Sequence, residues 1–209
     1  MKQAKCKICR RLGDKLFLKG EKCLGSKCAM IKRPFAPGQK AKKRRGNITE
    51  YGREMIEKQK VKRWYNISES QFKKYVSEVT ENTNSEMDVA SQLIAKLESR
   101  LDNIVFRMGW AKSRAQARLL VTHGHFLVNA RKVDIPSYRV SVADTIAIRE
   151  GSKGKEALKT IPESMKKYSL PKWLSYDGDK IEGKVMRYPT PEDVQLPSEV
   201  STIFEHYSR

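Results

Sequence analysis

The chain of 209 residues has room for one large domain or two small ones. Its 43 Lys and Arg face 24 Asp and Glu, a net charge of +19, and only 39% of the residues are hydrophobic. Self-repulsion of that size weakens a compact state standing alone, so the balance points to a polyanionic partner. No stretch approaches the roughly 18 apolar residues of a membrane span, and charge interrupts the first twenty residues, so no membrane segment or signal peptide is expected. A cytosolic chain keeps its thiols reduced, which argues against a disulfide scaffold.

The excess charge is localised. Residues 1–65 carry a net +16, residues 66–93 carry −3, residues 94–150 carry +5 and residues 151–209 carry +1. The partner surface is therefore expected near the N-terminus, with a smaller basic patch near the middle.

Cys6 and Cys9 are separated by two residues and Cys23 and Cys28 by four, with thirteen residues between the pairs. Each short pair can converge on one ion, and four thiolates at this spacing suit a closed tetrahedral zinc site. Lys5, Lys7, Arg10, Lys22 and Lys27 favour the thiolate state. Four protein ligands leave no open position for water, so such a zinc would be structural. An iron–sulfur cluster and four free thiols remain open alternatives.

Residues 29–46 show no hydrophobic period and contain Pro34, Pro37, Gly38 and Gly46, which reads as an extended basic arm. Its Lys40, Lys42, Lys43, Arg44 and Arg45 could order against phosphate. Asn47 and Glu50 have capping-box spacing and open a helix to about Tyr65, with Arg53, Lys58, Lys60, Lys62 and Arg63 along it as further contacts for a polyanion. Ser68 and Gln71 cap a second helix. A third starts near Asp88, and its apolar stripe runs on through Leu101 to Met108, with Gly109 as the stop.

Ser113 and Gln116 cap a short helix ended by Gly124. A strand follows at 125–128, then a turn at Asn129-Ala130, a return strand at 132–135, and strands at 145–149 and 184–188. The last helix covers about 198–207. Arg114 and Arg118 lie one turn apart, and Arg114 occupies a first turn where the helix dipole disfavours a cation. A phosphate at that helix start would satisfy both. Arg107, Lys112 and Ser113 before the helix, and His123, Arg131 and Lys132 after it, complete the central patch. His123 and His125 read as a helix end and a strand start rather than a metal pair.

Two motifs with enzymatic echoes are set aside. Arg100-Leu101-Asp102 resembles the element around the catalytic aspartate of pseudouridine synthases, but the chain lacks space for their catalytic domain, and Asp102 is expected to pair with a nearby Arg. Gly151-Ser152-Lys153-Gly154-Lys155 lacks phosphate-loop spacing. No catalytic residues are assigned, and the chain is read as a non-enzyme.

Residues 97–140, LESRLDNIVFRMGWAKSRAQARLLVTHGHFLVNARKVDIPSYRV, resemble the RNA-binding module named after small-subunit ribosomal protein S-four. The four-cysteine start, Lys19-Gly20-Glu21, Arg33-Pro34, Pro37-Gly38-Gln39, Glu57-Lys58-Gln59-Lys60, Trp173-Leu174-Ser175 and the ending Tyr207-Ser208-Arg209 extend the likeness to the bacterial ribosomal family itself, over essentially the whole chain. The resemblance implies an α+β fold. Residues 1–46 would form a zinc knuckle and basic arm, and residues 47–97 with about 189–209 a helical domain. Residues 98–188 would be an inserted helix–antiparallel-sheet module.

It further implies a primary binder of 16S ribosomal RNA, at a helix junction of the 5′ domain, that nucleates assembly of the small-subunit body. Contact with ribosomal protein S-five and other small-subunit proteins, an influence on decoding accuracy, and repression of its own mRNA belong to the same implication. Membrane and small-molecule substrate do not. Bacterial and organellar origins both stay open. Ala130 stands where the family's hairpin turn usually has Gly, and Pro162 interrupts a segment helical in relatives. The competing readings are an RNA-modifying enzyme that docks through the same module, and a zinc-dependent DNA-binding regulator.

Overall fold

A computed structural model describes residues 4–38, 47–82, 87–159, 161, 165, 168–178 and 180–208. The chain divides into two compact units, Met1–Ser85 with Leu196–Arg209, and Glu86–Gln195. The second is thus an insertion in the first. Its start at Glu86 lies upstream of the expected boundary at residue 98, so the third long helix belongs with the inserted module. The last residue of that helix, Glu98, explains the assignment: its fully buried carboxylate is held by side chains of the next helix.

In the first unit, α1 (Lys5–Leu12) ends at Gly13, whose φ of 84° lets its N–H turn back to the Cys9 carbonyl at 2.9 Å. A one-turn helix, α2 (Ala29–Lys32), follows Cys28. The long helix α3 (Glu50–Trp64) is capped by Thr49, not Asn47: the Thr49 hydroxyl accepts from the Gly52 N–H at 3.2 Å. Helix α4 (Glu69–Thr80) starts as expected, with the Ser68 hydroxyl accepting from the Gln71 N–H. Phe72, Val76 and Val79 form its buried stripe. The closing helix α9 (Val200–Ser208) packs on α3 through a Tyr51–His206 ring contact at 5.3 Å.

In the second unit the expected continuous helix is broken. It forms α5 (Val89–Glu98) and α6 (Leu101–Arg107), separated by Ser99 and an extended Arg100. Arg100 pairs its backbone with Arg139, while Leu101 N–H donates to the Tyr138 carbonyl and Val140 N–H to the Ser99 carbonyl. The apolar period survives the break because both halves bury their stripes. A distant segment supplies the hydrogen bonds that the helix gives up.

After α7 (Arg114–Thr122) come the strands β1 (Phe126–Val128), β2 (Arg131–Lys132), β3 (Thr145–Ile148), β4 (Leu174–Asp177) and β5 (Glu182–Val185), with a one-turn α8 (Glu156–Lys159) after β3. They form one antiparallel sheet in the order β2-β1-β3-β5-β4. The return strand β2 is shorter than expected, and β4 was not anticipated.

Asn129 and Ala130 both take positive φ, 49° and 64°, the conformation of a two-residue hairpin turn with the twist of its strands. Asn129 is anchored from both ends of its amide, donating to Asp144 Oδ1 at 2.7 Å and accepting from the Thr145 N–H at 3.0 Å. One apolar core, including Leu101, Ile104, Met108, Trp110, Val121, Phe126, Ile146 and Trp173, joins the helices to the sheet. Gly183 lets β5 close on it: a Cβ there would sit 2.3 Å from Met108 Cε. Pro162 lies outside the described residues, as do Lys40, Lys42, Lys43, Arg44 and Arg45 of the basic arm.

Candidate nucleic-acid interface

The four thiols converge. Cys6, Cys9, Cys23 and Cys28 line one cavity of about 20 Å³ with Lys5, Lys15, Leu18, Lys19, Ala29 and Met30. Burial raises the Cys9 thiol above its ordinary value, a Leu16 backbone hydrogen bond opposes this, and Cys23, Cys6 and Cys28 push it further up. All four are free thiols, and among the described residues no three His, Cys, Asp or Glu side chains are set to hold a metal ion. Four soft sulfurs from two short pairs thus share one cavity, the donor chemistry that a zinc ion would require.

Along α3 the expected row of cations splits by helix face. Arg53 is exposed and Arg63 half-buried. Lys60 is held by Glu57 at 2.8 Å and by Asp14 of the loop after α1. Burial would lower Lys60, but hydrogen bonds to Asp14 and Glu57 raise it above its usual range.

Lys58 and Lys62 depart from the expectation: the structure buries both, at 7% and 6% exposure. Lys58 Nζ meets Glu69 Oε1 at 2.7 Å, and Lys62 meets the other oxygen. Positions 54, 58, 61 and 62 are the inward stripe of α3, and here charge fills most of it. The first residue of α4 and Tyr207 of α9 bring the counter-charge and an aromatic face. Tyr207 donates to Glu69 at 3.2 Å and lies 5.3 Å under the Lys58 ammonium. Partial burial would raise Glu69, but the two lysines hold it down to about 2. Burial, then Glu69 itself, pushes the Tyr207 hydroxyl well above the usual phenol range, so it stays a donor. Ammoniums engaged in this way hold the helices together and are not presented to a polyanion.

The central patch divides likewise. Ser113 caps α7 by accepting from the Gln116 N–H at 3.3 Å, and the Gln116 side chain accepts from the Lys112 N–H at 2.9 Å. The Ser113 cap thus satisfies one of the orphan N–H groups at the helix start. Arg114 turns back: its Nε donates to Asn103 Oδ1 at 2.8 Å and its guanidinium lies 4.5 Å over the Phe106 ring. Asn103 donates to Glu98 at 2.6 Å, and Arg107 grips the same carboxylate in a fork at 2.9 and 2.7 Å.

Asp102 is paired as expected, with Arg100 at 3.0 and 2.8 Å and with Arg118 at 3.6 Å. Buried and doubly paired, it ties the helix break to α7. These two networks fix α7 on α6, so Arg107 and Arg114 serve chiefly to position the patch.

Lys112, His123, Arg131 and Lys132 are exposed, and Arg118 is 43% exposed. The His123 and His125 rings stack at 5.9 Å. His125 is buried, its Nδ1 3.0 Å from the Ser152 hydroxyl. Burial lowers its pKa, and the positive charges of Lys155, His123 and Arg149 lower it further. Arg149 and Lys155, both exposed, thus extend the patch. Spacing alone does not mark them: Arg149 closes the expected strand 145–149, and Lys155 lies in a stretch notable only for its failed phosphate-loop spacing. Arg139 is exposed too, beside the helix break.

An α+β scaffold that locks some of its cations inside and displays the rest from a short helix and a hairpin defines a protein with a polyanion-binding face. Residues 1–98 match the family model "Ribosomal protein S4/S9 N-terminal domain", and residues 99–146 match "S4 domain". Proteins called "Small ribosomal subunit protein uS4" align along nearly the whole chain. That of Thermotoga petrophila is 47% identical over 98% of this chain and 96% of its own length. Those of Acetivibrio thermocellus and Koribacter versatilis are 45% and 47% identical, over 99% and 100% of this chain and 97% and 98% of their own lengths. The chain belongs to the uS4 family of small ribosomal subunit proteins.

Proposed function

We infer that this chain is a structural, non-enzymatic constituent of the small ribosomal subunit, acting in the cytoplasm as a binder of ribosomal RNA. The observation that carries the reading is similarity to small-subunit proteins at 45–47% identity along the whole chain. The mechanism is neutralisation of RNA phosphates by exposed cations on a scaffold that buried ion pairs and an apolar core hold rigid. No described helix is long and apolar enough to cross a membrane.

The finer assignments extend this reading. The RNA is the 5′ domain of 16S ribosomal RNA, bound early so that the body of the subunit assembles around it. The arm residues Lys40, Lys42, Lys43, Arg44 and Arg45, with Arg53, Arg63, Lys112, Arg118, His123, Arg131 and Lys132, make the contacts. Ribosomal protein S-five is a neighbour, decoding accuracy is influenced, and the protein's own mRNA is a second RNA target. Cys6, Cys9, Cys23 and Cys28 would hold one structural zinc, which supplies folding energy to a segment with almost no apolar core.

Filter binding and footprinting on a 5′-domain transcript test the reading, with zinc content measured on the same sample. With about eight phosphates neutralised, log affinity falls with log salt at a slope near −6. A slope near zero, or no protected nucleotides, overturns it. Duplex DNA competing as well as the folded RNA would favour a DNA-binding regulator instead.

A further inference from the structure

The loop after α1 holds an aromatic residue in a conformation that nothing in its own packing rewards. Phe17 has a φ of 51°, in the left-handed region that a bulky side chain enters only under constraint, and its side chain is 45% exposed. The chain is pinned on both sides of it. Leu16, just before, is buried, and its backbone hydrogen-bonds to the Cys9 thiol. After it, the Lys19 N–H reaches Cys23 Sγ at 3.4 Å and the Gly20 N–H reaches the Phe17 carbonyl at 3.0 Å. The thiol-lined cavity thus fixes a turn that drives Leu16 inward and aims the Phe17 ring at solvent. A Gly or Asn at this position would adopt the same backbone at lower cost.

The surroundings of the ring are cationic. Lys15 Nζ lies 5.2 Å from its centroid, Lys19 and Lys22 are exposed nearby in sequence, and residues 1–65 carry a net +16. A hydrophobic pocket on another protein would have to desolvate these ammoniums. A nucleobase would not, because it offers an apolar face and brings its own phosphate.

We propose that Phe17 is a stacking platform for an unpaired base of the bound RNA, with Lys15 beside it to meet that nucleotide's phosphate. Strain stored at an exposed residue is a recurrent mark of a ligand-facing position. The proposal rests on the RNA-binding reading above and names a recognition element within it.

The test compares wild type with Phe17→Ala, Phe17→Leu, Phe17→Tyr and Phe17→Asn. Affinity for the 5′-domain transcript is measured across a salt series, and melting temperature on the same preparations. One lost stack weakens Phe17→Ala about tenfold, with the salt slope unchanged because no charge is removed. Phe17→Tyr stays near wild type, and Phe17→Leu falls with Ala although it keeps apolar bulk. Phe17→Asn melts higher than wild type and yet binds as weakly as Ala, a split that a merely structural role cannot produce. Should Ala fail to fold, Leu and Tyr decide.

If wild type binds with the expected slope and both Ala and Leu match it, the platform is overturned while the RNA-binding reading stands. If wild type itself does not bind, that reading falls. Normal RNA affinity in Phe17→Ala combined with lost binding to a purified small-subunit protein would assign the ring to a protein contact and overturn the proposal.

Discussion

The two units reach a folded state by different means. The inserted unit has an apolar core shared by helices and a five-stranded sheet, with Trp110 stacked on Phe126 at 5.8 Å. The first unit has a modest apolar stripe, and its long helix turns Glu54, Lys58 and Lys62 inward, where α4 and α9 answer them with Glu69, His206 and Tyr207. Where a chain must stay cationic for its partner, some of the cations can double as structure, provided that each meets a carboxylate before it is buried. Both units bury charge, the inserted one at Glu98, Arg100 and Asp102, but the inserted unit sets its charges beside a large apolar core, so hydropathy accounts for more of its burial.

The largest expected effect probes the apolar solution. Phe126→Ala removes a fully buried ring and should destabilise the inserted unit by about 4 kcal/mol in urea denaturation. Equal loss of structure in the first unit, followed through Trp64 fluorescence, would break the contrast. Next is a buried pair at the helix break of the inserted unit. Asp102→Ala removes the carboxylate that forks the buried Arg100 guanidinium and should cost about 3 kcal/mol.

The ionic solution is softer, because the Glu69 side chain is 46% exposed and screened. Glu69→Ala should cost about 1–2 kcal/mol, as Lys58 and Lys62 lose their acceptor. Its carboxyl is depressed from 4.5 to about 2, so its contribution is fully present above pH 4.5 and is lost as pH falls towards 2. An acid titration by circular dichroism should therefore show a loss that Glu69→Gln removes. Asp193 is also held down to about 2, chiefly by the Arg187 hydrogen bond, but that guanidinium is 44% exposed, unlike the two buried lysines on Glu69. Asp193→Asn should consequently change the acid profile far less.

The smallest effect concerns the hairpin. Ala130→Gly places a residue without Cβ at a φ of 64°, and stability should rise by about 0.5 kcal/mol after the added freedom of the unfolded chain is subtracted.

Much of the fold was legible in the sequence where its causes are local. Ser68 and Ser113 cap the helices that their spacing to Gln71 and Gln116 indicates, because a cap needs only a hydroxyl three residues from an orphan N–H. Asn129-Ala130 makes the turn, and the four cysteines share a cavity. What was not legible depended on distant partners. Strand β4 was missed because its short run carries a weak alternation and gains its hydrogen bonds from β5. The break at Ser99 and Arg100 was missed because the apolar period continues through it, while the replacement bonds come from residues 136–140. Of the central patch, Arg107 and Arg114 face the protein, and Arg149 and Lys155 join the surface from beyond β3.

By itself, the sequence determined the polyanion-seeking charge, the order of the helices, the hairpin and the family. These reside in composition and in spacings of a few residues. The tertiary structure alone decided which cations remain at the surface, since an ammonium turns inward only where a carboxylate awaits it: Lys58 finds one eleven residues away, on a helix that also receives the Tyr207 hydroxyl from the far end of the chain. It also decided that Phe17 faces water, because the pinning contacts come from Cys9 and Cys23 on either side of the loop. Charge burial and backbone strain are settled by neighbours in space, and no local period encodes them.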